Sequence, residues 1–260
     1  MSFLRRINGT DLQVSALGLG TVKFGRNEGV KYPGAFTIPD DHQLRELLAQ
    51  AQDLGINFVD TAPAYGESES RLGALLTQRQ DWVIMTKVGE EFSDGKSSFD
   101  FSAKHTRFSI ERSLQRLRTN YLDIVLIHSD GDDEKILSET DCLETLQELK
   151  QQGLIRAIGM STKTNSGGIM AAELTDMVML TYNLQQQDQQ ALDFAVRNNK
   201  GVLVKKGLMS GHIQESGRDL LRESMQKIFS QAGVNSMIVG TINPQHLAQN
   251  VRLAKELSTS

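Results

Sequence analysis

The chain has 260 residues, 39% hydrophobic and 23% charged, with 28 basic against 32 acidic side chains and a formal charge of -4. Without a long basic run, that balance argues against nucleic-acid binding and against a polybasic membrane anchor, leaving small molecules or other proteins as the expected partners. No stretch approaches the roughly 20 apolar residues of a membrane span, and Met1 to Gln13 lacks the apolar core of a signal peptide; the lone Cys142 cannot form an intrachain disulfide, so a cytoplasmic, reducing location is expected.

In chain order, Phe3 to Val14 reads as a small N-terminal hairpin, because Asn8-Gly9 suits the two positive-φ positions of a type I′ turn. Eight short apolar runs follow: Ala16 to Gly20, Ile56 to Val59, Trp82 to Thr86, Leu122 to Ile127, Ile155 to Met160, Met177 to Thr181, Val202 to Val204 and Met237 to Val239. Most are continuous rather than alternating, as in strands buried on both faces of a parallel sheet. Amphipathic segments lie between them. Leu44, Leu47, Leu48 and Ala51 share one helical face and are followed by Gly55, which tolerates a left-handed C′ position. Ile110, Leu114 and Leu117 form a second stripe; Leu143, Leu146 and Leu149, stopped by Gly153, a third; Leu247, Val251, Ala254 and Leu257 a terminal one. The repeat of about 32 residues, unbroken by a Pro- or Ser-rich linker, predicts one domain over 1–260, an α/β chain folded as a (β/α)8 TIM barrel, with an open doubly wound sheet as the alternative. Glu90 to Ala103 reads as an inserted loop and Gln185 to Gln190 as a helix opening. Nothing resembles a coiled coil or an interface strand, so a monomer is expected.

A barrel gathers its functional groups at the C-terminal ends of its strands. Asp60, Lys87 and His128 end the second, third and fourth runs, and Tyr65 lies just after the second. Each admits a plainer role: Asp60 as a turn or capping acid, Tyr65 as a half-buried loop aromatic, Lys87 as a surface lysine, His128 as a hydrogen-bonded residue at the core edge. Together, in register, they suit proton transfer to a carbonyl oxygen. A tyrosine of pKa about 10 needs a neighbouring cation, which lowers it by roughly 1–3 units. Lys87 is that cation, Asp60 its counter-charge, and His128 the orienting donor, as a neutral imidazole of the right tautomer. By contrast, Arg112, Arg116 and Arg118 read as a solvated helix face and Cys142 as packing.

Four stretches carry a resemblance to the aldo-keto reductase family: Asp60-Thr-Ala-Pro-Ala-Tyr65-Gly66, the Thr86-Lys87 pair, Tyr121-Leu-Asp-Ile-Val-Leu-Ile-His128, and Gly153-Leu-Ile-Arg-Ala-Ile-Gly159-Met-Ser161. The likeness runs from about Leu12 to about Leu257. Gly18-Leu-Gly20-Thr21 lacks the third glycine of a Rossmann fingerprint. The resemblance implies a reductase in which NADPH delivers hydride to an aldehyde or ketone, with Tyr65 supplying the proton and no metal. It places Gly20 and Thr21 near the nicotinamide ribose, with Asp60 nearby. It places Ser161 and Thr162 at the carboxamide, the latter where many members have Asn, and Met179 where many have Gln. Lys205 falls at the position of a stacking aromatic, and Leu208 and Ser210 lie in the loop beyond it.

For the adenosine phosphate, the resemblance points to Gly240, Thr241, Asn243, His246, Gln249 and Asn250. Gly240 and His246 replace a Lys and an Arg common in the family, which leaves NADH as an alternative cofactor. The short segment from Gly211 to Ser236 implies a rather open pocket. Two other functions fit the same residues: a Schiff-base lyase using Lys87 or Lys205, and a nucleotide-binding redox-sensing or regulatory module with negligible turnover.

Overall fold

The computed structural model describes residues 3–32, 34–214 and 219–259. Eight parallel strands close into a barrel: β3 (Leu17–Gly20), β4 (Phe58–Asp60), β5 (Val83–Val88), β8 (Leu122–His128), β9 (Ile155–Ser161), β10 (Met177–Thr181), β11 (Gly201–Lys205) and β12 (Val234–Val239), with β12 pairing back onto β3. Every apolar run expected to be a strand is one. The helices include α1 (Asp41–Asp53), α2 (Ser68–Leu75), α3 (Ala103–Arg116), α4 (Asp133–Glu139), α5 (Cys142–Gln151), α6 (Asn165–Leu174), α7 (Gln189–Arg197), α8 (Leu220–Phe229) and α9 (Pro244–Thr259). α1 starts at a reciprocal capping box, Asp40 accepting from Gln43 N and Gln43 accepting from Asp40 N. It buries Leu44, Leu47, Leu48 and Ala51 against the barrel, and Gly55 takes the positive φ (+85°) that ends it. The other three stripes bury in the same way, Leu114 and Leu257 only partly.

Alternation along each strand divides the core into two layers. Ile84, Val125, Ile127 and Ile158 face outward to the helices. Phe58, Val83, Met85, Ile124, Leu126, Ala157, Met177, Met179 and Leu203 fill the interior, joined from below by Ile7, Leu12 and Val14 of the N-terminal hairpin.

That hairpin, β1 (Leu4–Arg6) with β2 (Gln13–Ser15), is present, but its turn is not type I′. Arg6 pairs with Gln13, so the loop spans Ile7 to Leu12, closed by Ile7 N donating to Leu12 O at 2.8 Å. Gly9 has positive φ (+73°) and Asn8 does not. Burying Ile7 and Leu12 as a plug for the barrel floor overrides the local turn preference. The paired positive φ values occur instead at Asp94 (51°) and Gly95 (74°). They join β6 (Glu90–Ser93) to β7 (Lys96–Phe99), so Glu90 to Ala103 is a paired hairpin leading into α3, not an irregular loop. Of the Gln-rich stretch, Gln189 and Gln190 enter α7, while Gln187 bridges back to Tyr182.

Candidate functional site

The inward side chains of successive residues follow a period of two, so the last inward position of each strand belongs to the mouth. From Phe58, Met85, Leu126, Ala157, Met179 and Leu203 in the interior, alternation brings Asp60, Lys87, His128, Ser161, Thr181 and Lys205 to that level. Gly20 and Gly240 complete the ring on β3 and just past β12. One side of the mouth is therefore charged and polar, and the other carries glycines, Gly20 against Ile238 and Gly240 beneath Tyr32.

Tyr65 enters from a one-turn helix, Pro63–Tyr65, after β4. Its backbone is tied from several directions. Tyr65 N donates to Ala62 O at 3.0 Å, and Arg26 Nη1 donates to Ala64 O at 3.1 Å. Gly66 has φ +60°, and a Cβ there would lie 2.2 Å from Gly25 O. Only glycine permits that backbone-on-backbone approach. Ser68 then links the turn to β3, donating to Thr21 Oγ1 at 2.8 Å, while Thr21 Oγ1 donates to Asp60 O at 2.9 Å. The Thr21 hydroxyl thus locks β3 to β4.

Lys87 is 2% exposed and its ammonium contacts Asp60 Oδ1, donates to Thr61 O at 2.9 Å, and sits 4.7 Å from the centroid of the Tyr65 ring. Burial works to lower the Lys87 pKa, but Asp60 and Tyr65 outweigh it and hold the group above its ordinary value, so Lys87 stays charged. For Tyr65 the expected direction is reversed. Burial raises its pKa and Asp60 and Glu90 add to that, while Lys87 opposes without prevailing. The phenol is held protonated.

The His128 ring meets the Tyr65 ring edge-on, centroids 6.3 Å apart at 85°. Its Nδ1 lies 2.7 Å from Glu90 Oε2, a contact made by charge and proximity rather than by an aligned hydrogen bond. Burial pushes the His128 pKa down, with Lys87 and Lys205 acting in the same direction against Glu90. Burial would raise Glu90, but His128, Ser97 and Arg26 bring it down to about 2. Lys205 donates to Ser161 Oγ at 2.8 Å and Thr162 O at 2.6 Å. Burial, followed by repulsion from Lys206, lowers its pKa to about 7.

The residues tied by resemblance to a nucleotide divide into groups. Ser161, Thr162 and Met179 are buried together, Met179 pairing with Ser161 in the ladder and Thr162 N donating to Met179 O at 3.1 Å. Leu208 and Ser210 lie in the loop after β11, Leu208 against the outer core and Ser210 at φ 55°. At the start of α9, Asn243 Oδ1 accepts from Gln245 N (2.8 Å) and His246 N (3.1 Å), and Thr241 Oγ1 accepts from Asn243 N (3.1 Å). The helix N-terminus is capped by its own side chain. His246 and Gln249 are exposed and Asn250 is buried. Tyr32 lies over Gly240, its hydroxyl 2.4 Å from where a Cβ would stand, and Lys23 caps the Tyr32 ring at 3.9 Å.

Glu90, Arg26 and Tyr32 escape motif reading because each sits in a loop or hairpin with no strand-end register. The Asp94-Gly95 turn was the available signal for the first. The arginines of α3 also differ from a solvated face. Arg116 pairs at 3.3 Å with Glu69, a fully buried carboxylate that also accepts from Thr86 (2.6 Å) and Ser113 (2.7 Å), and Arg112 pairs with Glu91. Arg118 is exposed, while Cys142 is fully buried with its thiol pushed up to about 12. Among the described residues no helix is long and apolar enough to cross a membrane, and no group of three His, Cys, Asp or Glu stands ready for a metal.

A closed parallel barrel with an acid–base cluster of Asp, Tyr, Lys and His at its mouth is the class defined by fold and site together. The model of the Aldo/keto reductase family matches residues 16–227, and the chain belongs to that family. L-galactose dehydrogenase of Arabidopsis thaliana is 39% identical over 166 residues, 61% of this chain but 48% of that enzyme, so the chain matches about half of that relative's length. D-threo-aldose 1-dehydrogenase of a Pseudomonas species is 26% identical over 236 residues, 79% of this chain and 69% of the relative. A solved structure from Pseudomonas aeruginosa, provisionally described as an aldo-keto reductase, is 52% identical with a TM-score of 0.90, covering 98% of this chain and 96% of that one.

Proposed function

We propose that the chain is an NAD(P)H-dependent oxidoreductase interconverting aldehydes or ketones with alcohols, with Tyr65 as proton donor. The observation that carries this is the buried Lys87–Asp60 pair beside the Tyr65 ring at the mouth of the barrel. A desolvated ion pair costs several kcal/mol unless its geometry is good, and it is hard to explain as scaffolding so near a phenol held protonated. A nicotinamide dinucleotide would lie along the Gly20 and Gly240 side of the mouth, where Tyr32 now covers Gly240, and would meet Ser161, whose hydroxyl is bonded to Lys205. When bound, the reduced dinucleotide supplies the hydride. Tyr65 passes its proton to the carbonyl oxygen, Lys87 stabilises the phenolate left behind, Asp60 holds Lys87 charged, and His128 faces the same oxygen.

At the adenosine end the fit is looser: Asn243 caps α9, and neither a lysine nor an arginine stands at Gly240 or His246. NADPH remains the first choice and NADH the alternative. The sugar dehydrogenases among the relatives make hydroxyaldehydes the first substrates to assay. We further propose one domain over 1–260, a monomer, acting in the cytoplasm. The Schiff-base alternative narrows to Lys205, since Asp60 keeps Lys87 protonated.

Titration with NADPH and separately NADH, following reduced-nicotinamide fluorescence, tests the reading. Binding of NADPH alone gives an NADPH enzyme, and comparable binding of both a dual-cofactor one. No binding of either overturns the proposal in favour of the lyase, whereas binding of a dinucleotide without turnover favours the regulatory module.

A further inference from the structure

The Glu90 carboxylate is built into place. Its Oε1 accepts from Ser97 Oγ at 2.6 Å across the β6–β7 hairpin and lies 3.9 Å from Arg26 Nη1, while Oε2 meets His128 Nδ1 at 2.7 Å. Arg26 is itself clamped, with its guanidinium 3.3 Å from the Phe92 ring centroid and bonded to Ala64 O, Glu28 O and Gly29 O. A neutral imidazole carries one N–H and one lone pair. Although the contact is not an aligned hydrogen bond, a lone pair on Nδ1 only 2.7 Å from an ionised carboxylate is repulsive and an N–H there is favoured, so the proton belongs on Nδ1. His128 Nε2 has no hydrogen-bond partner among the described residues.

We infer that Glu90 is a positioning residue that fixes the proton of His128 on Nδ1, so that Nε2 is an acceptor in the neutral ring and a donor only in the imidazolium. This rests on the proposed carbonyl chemistry and refines it. A neutral His128 is then complementary to a substrate hydroxyl, and a charged one to a carbonyl oxygen. The neutral donating tautomer implied by sequence alone is the form that Glu90 disfavours. The groups facing the ring are Glu90 from the hairpin, which favours the charged form, Lys87 from β5 and Lys205 from β11, which oppose it, and the Tyr65 phenol from the turn after β4. Arg26 acts on the ring through Glu90. Reduction assisted by His128 therefore belongs to the acid side of its titration, and alcohol binding at Nε2 to the alkaline side.

Long-range proton–nitrogen NMR of the protein labelled at histidine nitrogens, with His128→Gln identifying the signal, reads both tautomer and titration without substrate. The expected result is an Nδ1–H tautomer above the His128 pKa in the unsubstituted protein. In Glu90→Gln the titration is expected to move to lower pH by about one unit, because the carboxylate that favours imidazolium is gone. In Glu90→Leu, which leaves no polar atom beside Nδ1, the proton is expected to move to Nε2. An Nε2–H tautomer in the unsubstituted protein, or an unmoved titration in a folded Glu90→Gln, overturns the inference. Kinetics separate its failure from that of the catalytic reading. A protein that shows Nδ1–H but reduces no carbonyl refutes the reductase and leaves the tautomer assignment standing; one that turns over with Nε2–H refutes only the role of Glu90. Where turnover is seen, the pH at which the ratio of oxidative to reductive kcat/KM changes is expected to shift by the same unit in Glu90→Gln.

Discussion

The Lys87 ammonium lies 4.7 Å from the centre of the Tyr65 ring and donates 2.9 Å to Thr61 O, anchored at the end of the same strand that carries Asp60. The cation that would stabilise a phenolate is thus fixed before any substrate arrives, while burial keeps the phenol protonated. Removing only the hydroxyl tests this division. Tyr65→Phe is expected to lower kcat/KM by roughly 10²- to 10⁴-fold, the range for a general acid, and to leave the dinucleotide titration unchanged. Equal turnover in that variant would refute Tyr65 as the donor.

Asp60→Asn strands a buried lysine. Lys87 has a folded pKa above its ordinary value, so the pair contributes stability that is fully present below the unfolded pKa of about 10.4 and is lost as pH rises through the folded one. At pH 7 the variant is therefore expected to lose about 3–5 kcal/mol, and Asp60→Asn/Lys87→Met to lose less than Asp60→Asn alone, because the double variant buries no unpaired charge. Urea melts of the three proteins check this; an equal or larger loss in the double variant would show that the pair stabilises as a unit.

Lys205 has the opposite sign. Its folded pKa of about 7 is depressed, so burying the ammonium costs most below pH 7, and the cost fades as pH rises toward the unfolded value near 10.4. Lys205→Met is expected to stabilise the protein at pH 6 by on the order of 1 kcal/mol, a gain limited by the lost bonds to Ser161 and Thr162 and shrinking by pH 9. Thermal melts across that range decide it. Borohydride trapping of a carbonyl substrate on Lys205 at pH 8 would instead establish the lyase.

The strands were legible because a parallel barrel buries both strand faces, leaving continuous apolar runs, and because Asp60, Lys87 and His128 fall on the inward phase of those runs. What reached the mouth from outside the strands was not legible. Glu90 arrives on a hairpin whose Asp94-Gly95 turn has clear local chemistry, yet its contact with His128 depends on how the hairpin leans on the barrel. Asn8-Gly9 shows the converse, a strong local turn signal overruled by burial of Ile7 and Leu12. At the start of α9, where the resemblance points to the adenosine phosphate, Asn243 occupies the amides of Gln245 and His246. Arg116 reads as solvated until Glu69, on another helix, is found fully buried beside it.

The turn that carries Tyr65 offers a test of geometry separate from chemistry. Gly66 has φ +60° and ψ −123°, a region open essentially to glycine, and its Cα faces Gly25 O closely enough that a Cβ would lie 2.2 Å away. Gly153 has φ +79° with nothing within 4 Å of its would-be Cβ. Gly153→Ala is therefore expected to cost only backbone strain, about 1 kcal/mol, with turnover unchanged. Gly66→Ala must also push the Tyr65 turn away from Gly25, and is expected to cost roughly 2–4 kcal/mol and to reduce kcat at least tenfold, since small misplacements of the proposed proton donor carry penalties of that size or more. Denaturant melts and initial rates on the two variants check the contrast. If Gly66→Ala matched Gly153→Ala in both, the close approach to Gly25 would not be what holds Tyr65 at the mouth.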